Sequence, residues 1–211
     1  MTIFQTLPFT CVAGTEGYAD DAEWLIPRYE SVNFLEKYRA VAHLIPESPS
    51  RILDVGAGTG VDAEWLAQNG HQVVAVEPVA AFREAGSKLH SSCKIEWVDD
   101  SLPKLSKVAF REELFDVVLV SAVWNHLASV EREQAMPILA ALLAPGRQLI
   151  LSIRHGPSPS NRRMFDVSVD DTVRLAAAHR LKLVLNAHIA STQLLNRQAG
   201  VTWSWLAFES G

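Results

Sequence analysis

The chain has 211 residues, 48% of them hydrophobic and 20% charged, with a formal net charge of −5 at pH 7. That length carries one sizeable core, and the acidic balance argues against a general nucleic-acid binder, which needs a basic face. Cys11 and Cys93 make no disulfide framework, MTIFQTLPFT has no cationic start, and no run reaches the roughly 18 apolar residues of a membrane span, so a cytoplasmic protein is expected.

Residues 1–19, with Pro8, Gly14 and Gly17, show no periodicity and read as an irregular arm. From residue 20 to about 45, apolar side chains recur at three- and four-residue steps, which predicts one or two helices broken or restarted at Pro27. PESPS is a turn into a first strand, RILDV. Helix and strand then alternate: a helix after Gly60 ending at Asn69-Gly70, a strand over 72–76, a helix near 79–89, a strand over 94–98 and a short helix near 106–113. FDVVLVSAV is apolar on both faces, as a central parallel strand should be. A helix over 129–143 follows, with Pro137 expected to kink or restart it, and RQLILSI is the fifth strand. Beyond a loop rich in Pro, Ser and Arg (156–166), a helix over about 168–180 leads to LKLVLNAHI and VTWSWLAF, read as an antiparallel pair joined by a polar stretch. This alternation implies a doubly wound α/β sheet with helices on both faces and ligands bound beyond the carboxyl ends of the strands.

LDVGAGTG carries the strongest chemical signal. Gly56, Gly58 and Gly60 interrupt an apolar strand just before a helix, which lets bare backbone approach a ligand and aims helix N–H groups at it. The spacing is G-x-G-x-G. A dinucleotide fingerprint would put its third small residue where Val61 stands. About twenty residues on, Glu77 closes the second strand, where a carboxylate accepts from a ribose diol and repels a 2′-phosphate. After the third strand, Asp99 and Asp100 precede Ser101, Leu102 and Pro103, offering a carboxylate to a purine amine and an apolar neighbour to its ring.

With these motifs, and with FDVVLVSAVWNHL ahead of LLAPGRQLILSIRHG, the chain resembles the class I S-adenosylmethionine-dependent methyltransferases, most clearly over residues 51–155. The resemblance implies a mostly parallel seven-stranded sheet with an antiparallel last strand. It implies one domain over 1–211: an arm and helical lid (1–45), a cofactor core (51–155) and a substrate-side region (156–211). It also implies that the loop from Asp54 through Gly56, Ala57 and Gly58 to Gly60 cradles the methionine end of the cofactor, that Glu77 with Pro78 holds the ribose, and that Asp99 or Asp100, beside Ser101, reads the adenine. Arg28 or Tyr29, in the lid, is the candidate for the methionine carboxylate. The N/D-P-P-Y element of amide- and base-methylating members is missing. Val123, Trp124, Asn125 and His126 stand in its place, which points away from nucleic acid and towards a small-molecule acceptor.

A sulfonium methyl is already activated, so a base is needed only for an acceptor that must lose a proton. His126 and His155 fall on the expected rim, each as base or substrate ligand, with a backbone-tied loop histidine as the plain alternative. Trp124 is a stacking wall or a core residue, and Asn125 lies beside it. Arg147, Arg154, Arg162 and Arg163 form a locally basic stretch, and Arg154 with Arg162 or Arg163 is a candidate clamp for an anionic acceptor. No metal-ligand spacing is present. The rival readings are a non-methylating enzyme using the same cofactor, a non-catalytic cofactor-binding subunit, and an NAD-dependent oxidoreductase.

Overall fold

The structure, a computed structural model, describes residues 12–211. Cys11 and most of the expected N-terminal arm lie outside the described residues. The chain runs α1 (Ala22–Glu30), α2 (Phe34–Lys37), a 3₁₀ turn (Ala42–Leu44), β1 (Arg51–Val55), α3 (Val61–Gln68), β2 (Gln72–Val76), α4 (Ala80–Leu89) and β3 (Ile95–Val98). It continues through α5 (Ser106–Ala109), β4 (Phe115–Val120), a 3₁₀ turn (Trp124–His126), α6 (Ser129–Ala141), β5 (Leu143–His155), α7 (Val169–Ala178), β6 (Leu181–Ala190), α8 (Leu194–Gln198) and β7 (Thr202–Ser210).

The seven strands form one sheet in the order β3-β2-β1-β4-β5-β7-β6. The first five are mutually parallel, and β7 runs antiparallel to both β5 and β6. Alternating side chains bury both faces. Leu53, Val55, Val74, Val76, Val118, Val120 and Leu149 pack with Met136 and Leu139 of α6 and Ala176 of α7. Ile52, Val73, Val117, Leu119 and Ile150 pack on the other side with Phe34 and Tyr38 of the N-terminal segment and Leu66 of α3. This two-sided burial explains why the central strands read as continuous apolar runs. Every crossover returns the chain to the same edge, so the loops after β1 to β5 share one rim, where strand order reverses between β1 and β4.

The departures from the sequence expectations are local. Pro27 lies inside α1 instead of dividing it, and the break falls at Ser31–Asn33, where the Asn33 side chain accepts the Glu36 N–H and starts α2. α6 runs through Pro137 without restarting, held by Ala135, Met136 and Leu139 buried on either side of it. β5 begins four residues early, because Leu143 pairs with Phe115 before a bulge at Pro145-Gly146. The polar stretch between β6 and β7 contains α8. Among the described residues no helix is long and apolar enough to cross a membrane.

Candidate functional site

A cavity of about 270 Å³ opens on the shared rim. Its first wall is the glycine loop. Gly56 and Ala57 donate their N–H groups to Val76 O at 2.8 and 2.9 Å, folding the loop back over β2. Gly56, Ala57, Gly58 and Thr59 line the cavity, whereas Asp54 and Gly60 sit behind it. Gly58 has φ +59°, left-handed backbone that favours glycine, and it faces the Tyr29 ring, which a Cβ would meet at an ordinary contact distance of 3.4 Å. Gly60, at φ +86°, answers to packing: a Cβ would strike Trp97 at 2.6 Å.

Glu77 is buried, and both its oxygens are oriented by backbone, Oε2 by the Gly58 N–H and Oε1 by the Val79 N–H, each at 2.8 Å. Burial pushes its carboxyl up to about 7, against the pull of those two donors and Arg83. Asp54 is likewise buried, and burial, reinforced by the Asp62 charge, raises it to about 8. Asp54 Oδ2 and Thr59 Oγ1 have no hydrogen-bond partner among the described residues, so polar capacity around the loop is left for a polar ligand. Asp62 accepts from Lys37 Nζ at 2.5 Å and from the Tyr38 hydroxyl at 2.8 Å.

Across the cavity, Pro78, Val79 and Phe82 face Asp100, Ser101 and Leu102. The structure separates the two candidate carboxylates. Asp99 points outward to Arg83 and Lys107 at 3.4 and 3.8 Å, while Asp100 lines the cavity. Asp100 is also committed to backbone: Oδ1 accepts from Ser101 N, and Oδ2 from Lys107 N and Val108 N. It therefore fixes the loop as well as facing the opening.

The far wall is where the sequence expectations scatter. His126 lines the cavity and His155 does not. His155 Nε2 meets Ser204 Oγ at 2.9 Å, with His188 on the other side of that hydroxyl at 3.2 Å. Trp124 is fully buried in the core and donates to Thr172 Oγ1 at 3.3 Å. Asn125 is a staple: its amide donates to Arg154 O and Phe165 O, each at 3.0 Å, and its oxygen accepts from Arg154 N at 2.7 Å. Both amide hydrogens and one lone pair are used within the protein, and Asn125 does not line the cavity where a substrate contact was expected. The arginines are likewise committed. Arg154 reaches Gly156 O at 3.3 Å, Arg162 pairs with Asp21 at 2.6 Å, and Arg163 pairs with Glu131 and His126 O, each at 2.9 Å. None of the three lines the cavity. Arg28 is exposed and stacks on Trp24 at 3.6 Å, whereas Tyr29 lines the cavity beside Phe82.

Three groups that the sequence did not single out do line the cavity: Tyr18, Lys37 and Trp203. Tyr18 contacts His126, its hydroxyl 3.0 Å from Nε2, while His126 Nδ1 faces Arg163 O at 2.8 Å. A carbonyl only accepts, so Nδ1 carries the hydrogen and Nε2 accepts from Tyr18. Burial lowers the His126 imidazole below its ordinary value and raises the Tyr18 hydroxyl above its own, so both are neutral near pH 7. Among the described residues no cluster of three or more His, Cys, Asp or Glu side chains is placed to hold a metal.

A family model described as a methyltransferase domain matches residues 29–209. An uncharacterized methyltransferase of Mycobacterium tuberculosis (strain ATCC 25618 / H37Rv) is 31% identical over 118 residues, covering 52% of this chain and 42% of that protein. A demethylmenaquinone methyltransferase of Clavibacter sepedonicus is 29% identical over 160 residues, covering 75% of this chain and 60% of that protein. The chain thus spans only about half the length of these curated relatives. The crystal structure of a Burkholderia thailandensis 1,6-didemethyltoxoflavin-N1-methyltransferase, with that compound and S-adenosylhomocysteine bound, shares the fold at TM-score 0.69 and 17% identity, covering 97% of this chain and 93% of that one.

Proposed function

The chain belongs to the methyltransferase-domain family, and from that membership we propose that it transfers the methyl group of S-adenosylmethionine to a small-molecule acceptor. One observation carries the reading: the glycine loop, the oriented Glu77 carboxylate, the Asp100–Leu102 turn and the Tyr18–His126 pair all line one cavity.

The residues fit the cofactor. Glu77 has both oxygens positioned to accept from a ribose diol. Leu102 and Phe82 offer apolar surface to the adenine, with Asp100 and Ser101 supplying its polar edge. The Thr59 and Ser121 hydroxyls on the lining suit the amino-acid end. Lys37, in place of Arg28, is the cation that reaches the cavity for the carboxylate. The bound cofactor supplies a methyl on a positive sulfur that leaves as a neutral thioether, so no strong electrophilic assistance is required.

The protein's own work is alignment, exclusion of water and removal of a proton. His126, in place of His155, is the base. The acceptor's proton passes to Tyr18 Oη as the Tyr18 proton passes to Nε2, and the Arg163 carbonyl steadies the imidazolium through Nδ1–H. The test is incubation with S-adenosylmethionine and a fractionated small-molecule extract. The expected result is S-adenosylhomocysteine formed in step with a product 14 mass units heavier than its precursor. Cofactor consumed with no S-adenosylhomocysteine would overturn methyl transfer in favour of another use of the sulfonium.

A further inference from the structure

We propose that the acceptor is an uncharged, flat molecule that offers a hydroxyl or N–H to Tyr18 Oη and lies against Trp203 and Ile189. The inference rests on the methyl-transfer reading of the cavity.

The charge of the acceptor follows from the wall. From Ser121 to Trp205 the lining residues are Ser, Ala, Val, Leu, Ile, Thr, Gln, Asn and Trp, with His126 the one ionisable side chain among them. The cations that a basic sequence stretch promised do not line the cavity: Arg162 is paired with Asp21, Arg163 with Glu131, and Arg154 reaches the Gly156 carbonyl. Lys37 does line the cavity, but it is paired with Asp62 at 2.5 Å and its remaining donors are assigned to the cofactor's own carboxylate. A phosphate or carboxylate against this wall loses its hydration and meets no guanidinium among the described lining residues, which is the costly outcome of burial. A neutral acceptor loses little. Trp203 and Trp205, with Ile189 beside them, present the flat apolar surface that an aromatic ring covers best.

The protic group follows from hydrogen-bond direction. The Arg163 carbonyl fixes the His126 hydrogen on Nδ1, Nε2 must then accept, and Tyr18 must donate to it. A phenol oxygen has one hydrogen and two lone pairs. Arg162, over the Tyr18 ring at 4.2 Å, engages at most one of those lone pairs. The other is an acceptor site in the cavity, matched by an O–H or N–H on the ligand.

The experiment is calorimetry on the full chain saturated with S-adenosylhomocysteine, with three probes of one ring system: 1-naphthol, 1-methoxynaphthalene and 1-naphthyl phosphate. We expect 1-naphthol to bind about tenfold tighter than either of the others, the value of one hydrogen bond or one uncompensated charge. In Tyr18→Phe the preference for naphthol over its methyl ether should vanish, a change that a purely structural tyrosine would not produce. Trp203→Leu should weaken all three probes alike. Naphthyl phosphate binding as tightly as naphthol overturns the neutral acceptor, and this arm uses the unaltered protein. A naphthol preference that survives Tyr18→Phe overturns the hydroxyl contact. S-adenosylhomocysteine bound but no naphthalene bound overturns the inference alone, whereas failure of S-adenosylhomocysteine itself to bind removes the methyl-transfer reading and this inference with it.

Discussion

On the side of the cavity built from β1 to β3 the chain buries carboxylates, and on the side built from β4 to β7 it buries none against the opening. Asp54 and Glu77 are held at 2% and 5% exposure with their ionisation pushed up to about 8 and about 7. The opposite wall is lined by uncharged side chains and His126, with Arg162 and Arg163 paired to Asp21 and Glu131 outside the lining. The first side therefore carries an energetic penalty that a polar ligand relieves. The second offers shape, one oriented hydroxyl and one imidazole. A ligand shared by a whole family can be met by a fixed set of charges, whereas an acceptor peculiar to one enzyme is met by the shape of the wall.

The sharpest way to break that contrast is on the polar side. Glu77→Ala should weaken S-adenosylhomocysteine about a hundredfold by calorimetry, because a charged acceptor to two hydroxyls is lost, while 1-naphthol affinity for the cofactor-free protein stays put. On the neutral side, His126→Gln should slow methyl transfer by up to about a hundredfold, read as S-adenosylhomocysteine release, with cofactor affinity unchanged. Asn125→Ala should cost about 2 kcal/mol of stability, since the Arg154 N–H and two carbonyls lose their partner. A lowered Tm with normal cofactor binding is the signature of the staple.

The pH dependence of the ligand-free protein should run against the usual carboxylate pattern. With folded values of about 8 for Asp54 and about 7 for Glu77, both groups hold protons in the folded chain that they lose on unfolding above roughly pH 4. Their contribution is therefore fully present below about pH 4 and declines as pH rises towards 8, so Tm should fall between pH 6 and pH 8. Saturating S-adenosylhomocysteine should flatten the slope by favouring ionised Glu77. The smallest expected effect is that of Arg154→Ala, less than about twofold on the affinity of any of the naphthalene probes. A tenfold loss of naphthyl phosphate binding there would restore the anion clamp that the basic stretch suggested.

The same contrast explains what was legible in the sequence. The alternation of strands and helices and the glycine loop with Glu77 are written in contiguous motifs, an apolar run, a turn and a residue at fixed spacing, while the antiparallel last strand comes with the family resemblance. Glu77 is found by its place at the end of β2, whereas which of Asp99 and Asp100 lines the cavity turns on side-chain direction at a strand end, which spacing does not encode. The acceptor wall is assembled from segments far apart in the chain. Tyr18 finds its meaning only against His126, 108 positions away, and the His126 tautomer depends on a backbone carbonyl at Arg163. Arg154 and Asn125 read as pocket chemistry because their neighbours in sequence face the rim, yet the Asn125 side chain is spent on the Arg154 backbone 29 positions away and the Arg154 guanidinium turns to Gly156 O. Lys37 was hidden because the N-terminal helices gave several cations and no spacing to choose among them. α8 escaped because five residues among polar neighbours are too few to show a period.

The central claim is that one cavity holds adenosine on buried carboxylates and an acceptor on a neutral wall. A crystal structure of the chain with S-adenosylhomocysteine tests it most directly. The account predicts both ribose hydroxyls on Glu77, the adenine between Phe82 and Leu102, and open space beside the sulfur bounded by Tyr18, His126 and Trp203. A ribose turned away from Glu77, or a sulfur facing solvent with that wall on the other side of the ligand, would contradict it.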